Sequence, residues 1–314
     1  MEKILPAISW SPRWMSLMGC MIGCSRFLGL GNTDAWVYGS SGHAFVLNIH
    51  KTLCPSGPTA WKTAKSLHLL SNAGFSVSGV VSWAQNPDYA QKYLQATNII
   101  REAVENDFPS VIFWADKPEH YIVRGINDDG IFINGAGSET VPFKPWTKIS
   151  ESDMIEALSV KPAEKSEARK TVKDSLQFAI DTWHGSSGIC HDGYSCGFKA
   201  FDVWAESFDD TKLNGFGLAY NSQVWAETRI MAVDFLREAA TKLGMKDNFK
   251  KSIDCAIVSA ECLKIVATQF PFEGMDSSHK SDPARISSAR TALETAKKVE
   301  GEMIGEFEKL VKLI

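Results

Sequence analysis

Residues 108–137 read FPSVIFWADKPEHYIVRGINDDGIFINGAG. Three short runs rich in β-branched and aromatic residues follow one another here: SVIFWA at 110–115, HYIVRGI at 120–126 and GIFIN at 130–134. The Asn127-Asp128-Asp129-Gly130 link between the last two is a tight-turn sequence, too short for the crossover that a parallel pair needs. A consecutive antiparallel meander is therefore expected. It would put His120, which opens one strand, near Asn134, which closes the next. An amide in that position can hold an imidazole in one tautomer. A thiol on a facing helix would complete a Cys/His/Asn nucleophilic site.

Working outward from the meander, Ser11-Pro12 reads as a helix cap followed by proline at the first helical position. Trp14, Leu17, Met18, Met21 and Leu28 then recur at helical spacing up to Gly29. AFVLNI at 44–49 reads as a strand, 59–72 as a helix, 76–83 as a β segment and 88–105 as an amphipathic helix. Residues 142–163 read as a transition, and the Lys-, Glu- and Ala-rich stretch at 161–169 as a domain boundary. Beyond it helices are expected near 165–183, 197–208, 219–243, 247–270 and 282–313. The fold class expected is α+β: residues 1–160 form a domain with an antiparallel sheet, and residues 161–314 an all-α helical domain. In the last helix Ala289, Leu293, Ala296, Met303, Phe307, Leu310 and Ile314 share one stripe. Part of so long a stripe is expected to meet a second copy of the chain, making a homo-oligomer.

The chain of 314 residues carries a formal net charge of −4, and its basic residues are scattered. That composition offers no bulk attraction to a phosphate backbone or an anionic lipid surface, so neither nucleic acid nor membrane is an expected partner. The opening MEKILPAISWSPRW has a proline and two tryptophans where a signal peptide needs an unbroken apolar run. A cytoplasmic protein is expected, and its seven cysteines are read as free thiols.

The run at 108–137 resembles the second half of papain-like domains of the bacteriocin-processing peptidase type, and of the related butirosin biosynthesis protein H N-terminal domains. GCMIGCSRFLGLGNTDAWVYGSSGHAF, residues 19–45, is similar to their nucleophile helix and the glycine-rich segment after it. GYSCGFKAFDVWAESF and AYNSQVWAETRIMAVDFLREAA look like the helical extension of the butirosin-type proteins. The resemblance implies a papain-like fold for the N-terminal domain, with Cys20 as nucleophile, His120 as general base and Asn134 as its orienting partner. Three positions depart from the family pattern. Gly135-Ala136 stands where Asp-Pro is usual, and no glutamine precedes Cys20. His120 lies one residue closer to Gly125 than the pattern has it, which calls for a β-bulge.

The nucleophile position is open among three residues. Cys20 and Cys24 lie well inside a helix that starts at Pro12 and would gain little from its dipole, unless Gly19 breaks the helix. Counting back from Leu28-Gly29 puts Ser16 in the position instead. The bland alternatives are packed cysteines, a strand-end histidine bonded to a loop carbonyl, and Asn134 as a turn residue. His184, Cys190, His191 and Cys196 have the donor chemistry for zinc, but their spacing matches no common finger, so no metal and no cofactor are expected. His43, His50 and Cys54 are read as surroundings. Two functions follow. The first is a thiol-dependent hydrolase or acyltransferase acting on an amide or thioester of a small-molecule or acyl-carrier substrate. The second is a non-catalytic binding protein that keeps a papain-like cleft.

Overall fold

The structure is a computed structural model that describes residues 2–62, 64–138, 142–149, 153–210, 212–274, 276 and 278–314. The chain divides into two compact units: Met1–Thr33 with Ala73–Lys165, and Asp34–Asn72 with Ser166–Ile314. The elements are numbered along the whole chain.

The first unit is an antiparallel sheet with helices. It holds β1 (Lys3–Ile4), α1 (Ser16–Phe27), β3 (Phe75–Trp83), α4 (Tyr89–Glu105), β4 (Ser110–Phe113), β5 (His120–Ile126), β6 (Gly130–Asn134), β7 (Phe143–Pro145) and β8 (Met154–Pro162). The strand order is β3-β8-β4-β5-β6-β7, with β1 pairing on β5, and every pairing is antiparallel. β4, β5 and β6 form the consecutive meander that their turn chemistry predicts. Asn127 Oδ1 accepts the N–H groups of Asp129 and Gly130 and closes the turn. The β5–β6 register shifts by one residue between Val123 and Gly125, which is the bulge that the spacing of His120 and Gly125 calls for. α4 lays Ala96, Ile100, Ala103 and Val104 against the sheet, chiefly over β8 and β3.

Two expectations for this unit are corrected. The segment 142–163 is not merely a transition, because β8 runs through it and pairs with both β3 and β4. Nor does the first helix start at Pro12. The Ser11 N–H donates to the Gly19 carbonyl at 3.1 Å, so Ser9–Ser11 runs extended along α1 instead of capping it. Gly19 and Gly23, one turn apart, make that approach possible. A Cβ on Gly19 would collide with the Trp10 indole and the Ser11 carbonyl, and one on Gly23 with the Ser9 carbonyl. α1 is unbroken from Ser16, and Gly19 serves close packing rather than a helix break.

The second unit is mostly helical. It holds α2 (Asp34–Ser40), β2 (Asn48–His50), α3 (Ala64–Leu67), α5 (Ala168–Trp183), β9 (Tyr194–Cys196), α6 (Phe198–Ser207), α7 (Gly215–Leu243), α8 (Lys246–Gln269) and α9 (Pro283–Leu313). β2 pairs with β9 in a two-stranded ribbon. The strand read at 44–49 is instead a 3₁₀ turn at His43–Phe45 followed by β2. The helix read at 59–72 shrinks to α3 and a 3₁₀ segment, His68–Ala73, with residue 63 lying outside the described residues. α9 begins with Pro283 behind Asp282, whose carboxylate accepts the Ala284 N–H at 2.8 Å. Of its expected stripe, Ala289, Leu293, Ala296, Met303, Phe307 and Leu310 are buried and Ile314 is half-buried. At the centre Arg229 forks onto Glu300, with Nε–Oε1 at 2.5 Å and Nη2–Oε2 at 3.1 Å. Its Nη1 donates to the carbonyls of Ala44 and Val46, and Ser259 donates to Glu300. No helix among the described residues is long and apolar enough to cross a membrane.

Candidate functional site

The site grows from the start of α1 and the head of β5. Ser16 is the first residue of α1, and the Met15 side chain at the N-cap makes no capping hydrogen bond. The helix dipole and the N–H groups of a first turn favour negative charge at such an end. α1 lies on β5 and brings the Ser16 hydroxyl to His120: Oγ accepts the His120 backbone N–H at 3.0 Å and sits 3.4 Å from Nδ1. A serine proton directed at Nδ1 requires the imidazole tautomer that carries its own proton on Nε2. Nε2 faces Glu156 Oε2 at 3.8 Å, longer than a hydrogen bond.

Glu156 reaches this position from β8. It lies one residue beyond the Ile112–Ala157 pair, across β4 from His120, which pairs with Phe113. Phe113 lies between them, its ring centroid 4.9 Å from that of His120, and so limits the tilt of the imidazole. All three polar residues are shielded from solvent: Ser16 is 2% exposed, His120 3% and Glu156 3%. Neither His120 Nε2 nor Glu156 Oε1 makes a hydrogen bond.

The residues expected from sequence divide. His120 is in the site. Cys20 sits one turn further along α1 than Ser16, and Cys24 one turn beyond that, so the three share a helix face at increasing depth. Among the described residues neither Cys20 nor Asn134 makes a hydrogen bond to His120. Burial pushes the Cys20 thiol well above its ordinary pKa, with Cys24 and Glu119 adding repulsion, and burial does the same to Cys24. Thiols held in the neutral form are poor nucleophiles. Asn134 has a different task. Its Oδ1 accepts the Trp10 N–H at 2.6 Å and the Ser9 hydroxyl at 3.5 Å, fixing the segment that leads into α1. Asn134 therefore orients the helix that carries Ser16 rather than the imidazole.

Tyr121, next to His120, accepts the Lys117 N–H and donates to the Ala136 carbonyl; burial pushes its pKa up to about 12. Among the described residues, no group of three or more His, Cys, Asp or Glu side chains is gathered to hold a metal ion. His43 is buried, its Nδ1 near the Ser41 hydroxyl, and His184 faces Glu308. The site residue that sequence reasoning missed is Glu156. The available signal was a lone carboxylate inside the apolar run MIEALSV, where an unpartnered charge would be costly. No protein-family model matches this sequence, and neither does any curated protein.

Proposed function

We propose that the first unit is an acyl-transfer module of papain-like design, a hydrolase or acyltransferase acting on an amide or thioester of a small-molecule or carrier-bound substrate. The hydroxyl of Ser16 takes the nucleophile's position. The observation that carries this reading is the Ser16 Oγ to His120 Nδ1 distance of 3.4 Å at the start of α1. In this reading His120 removes the serine proton as Oγ bonds to the acyl carbon. The oxyanion develops at the helix start, where first-turn N–H groups favour negative charge. His120 then returns the proton to the leaving nitrogen or sulfur, and a water or an acceptor repeats the sequence in reverse. Glu156, facing Nε2, stabilises the imidazolium between the two proton transfers.

A specific observation favours a second reading, a non-catalytic binding protein. Ser16 Oγ already accepts a backbone N–H inside a nearly closed site, as a purely structural serine would. Labelling with a fluorophosphonate and with a β-lactone at neutral pH separates the two. The acyl-transfer reading expects one adduct at Ser16 by peptide mass, abolished in Ser16→Ala, greatly slowed in His120→Ala and unchanged in Cys20→Ala. An adduct at Cys20 would restore the thiol mechanism. Wild-type protein that takes up neither reagent would support the binding reading.

A further inference from the structure

The chain has seven free cysteines, and two of them share a feature that the rest lack. Cys196 in β9 is the direct cross-strand partner of Asn48 in β2, and Cys190 forms an isolated bridge with Trp61. Both sulfurs converge on one atom: Cys196 Sγ lies 3.2 Å from Asn48 Oδ1 and Cys190 Sγ 3.6 Å from the same oxygen. That oxygen cannot swing away. The Asn48 amide is fully buried and its Nδ2 is held by the carbonyls of Gly57 at 2.7 Å and Ala60 at 3.1 Å.

The two thiols are unequal. Cys190 is only half-buried and therefore reachable by a small reagent, whereas Cys196 is buried. Hydrogen bonding from Cys196 lowers the Cys190 pKa from the ordinary thiol value, against the desolvation that opposes it and with help from Lys62. The same interaction, together with burial, pushes Cys196 up. An accessible thiol of lowered pKa beside a second, buried thiol is the arrangement in which one sulfur attacks an oxidant and the other resolves the product. Elsewhere, Cys20 and Cys24 are sealed in α1, and Cys54 is bonded to the Ser56 hydroxyl at 2.8 Å.

We propose that Cys190 and Cys196 form a redox-active dithiol that a peroxide converts reversibly to an intramolecular disulfide. The Cys190 thiolate attacks one peroxide oxygen; an S–O bond forms, the O–O bond breaks, and the expelled hydroxide takes up a proton as water. The Cys196 sulfur then attacks the sulfenic sulfur of Cys190. An S–S bond forms, the S–O bond breaks, and the hydroxide leaves as water with the Cys196 proton. In sum the two thiols lose two protons and two electrons, and the peroxide becomes two waters. A dithiol reductant reverses the change. The bond ties residues 190–196 into a closed loop beside the β2–β9 ribbon and removes any S–H donor from Asn48 Oδ1.

The test uses the full chain and hydrogen peroxide. After peroxide, iodoacetamide and trypsin, the single peptide spanning 174–199 carries both cysteines. It should appear two hydrogens lighter and without alkylation, and dithiothreitol before alkylation should restore two labelled cysteines. Cys196→Ser should leave a sulfenic acid on Cys190 that dimedone captures, and Cys190→Ser should abolish any peroxide-dependent change in the peptide. Full alkylation of both cysteines after peroxide would overturn the proposal. So would a cross-link between this peptide and the one spanning 52–62, which carries Cys54. Because the wild-type map alone decides the outcome, a poorly folding variant does not blunt the test.

Discussion

Replacing Ser16 by alanine tests whether its hydroxyl holds the site together. Oγ accepts the His120 backbone N–H at 3.0 Å, and both residues are closed to water. Without the oxygen, that N–H is orphaned in the interior, a loss of about 1–3 kcal/mol. The vacated space is one oxygen atom and adds little. With a urea dependence of ~2 kcal/mol per molar, the unfolding midpoint should fall by roughly 0.5–1.5 M. A readout confined to the first unit is available, because Cys20 and Cys24 are each 0% exposed and alkylate only when that unit opens. Pulsed alkylation across a urea series, resolved by peptide mass, therefore reports the midpoint of the α1 region, with Cys255 and Cys262 reporting the second unit. A Cys20 and Cys24 midpoint unchanged from wild type would mean that Oγ is not the acceptor of the His120 N–H. The geometry on which both functional readings rest would then be wrong.

Arg229→Met should cost about 3–5 kcal/mol by leaving the Glu300 carboxylate buried without its partner, and Arg229→Met with Glu300→Leu should recover part of that. Chemical denaturation of the single and double variants checks this, and additive losses would count against a coupled pair. The first unit should also be alkali-sensitive. Cys20 and Cys24 are held neutral in the fold with pKa values raised from 9.0, so unfolding releases protons once the pH passes the unfolded value. The stability they contribute is complete below about pH 9 and declines above it, by up to ~1.4 kcal/mol per pH unit for each thiol. Urea midpoints followed by tryptophan fluorescence at about pH 8 and about pH 10 should show a slope that flattens in the Cys20→Ala, Cys24→Ala double variant. An undiminished slope would assign the sensitivity elsewhere, Tyr121 first.

What could be read from the sequence, and what could not, follows from which interactions shape each segment. The meander was legible because its turn is closed by Asn127 from within the turn itself. α9 was legible for the same reason, since Asp282 caps it locally. β8 was not. Buried from Ile155 to Val160, it lacks the alternation that marks a half-exposed strand, and with it Glu156 went unnoticed. Ser11-Pro12 has the chemistry of a helix start, yet a contact to Gly19 eight residues on draws it into extended form. Likewise the apolar run AFVLNI suggests a strand, but Arg229, far along the chain, takes the carbonyls of Ala44 and Val46. In the site, His120 could be found from its strand-end position. Ser16 stood among three candidates because the helix start that distinguishes it is set by Asn134 and the two glycines of α1.

The division of the chain into interleaved units has a consequence for how the protein is made. The first unit is complete once Lys165 has been synthesised, but residues 34–72 belong with segments that begin only at Ser166. During synthesis those residues must wait as a loop between Thr33 and Ala73 while α1 and the sheet assemble. The entropy of closing such a loop rises only with the logarithm of its length, so the detour is tolerable. The apolar residues of the waiting stretch, Phe45 among them, pack in the fold against α7 and α9, which emerge later. A chain stopped near residue 160 would carry that exposed stretch permanently, and aggregation of such a fragment would reflect a missing partner segment rather than a faulty sheet.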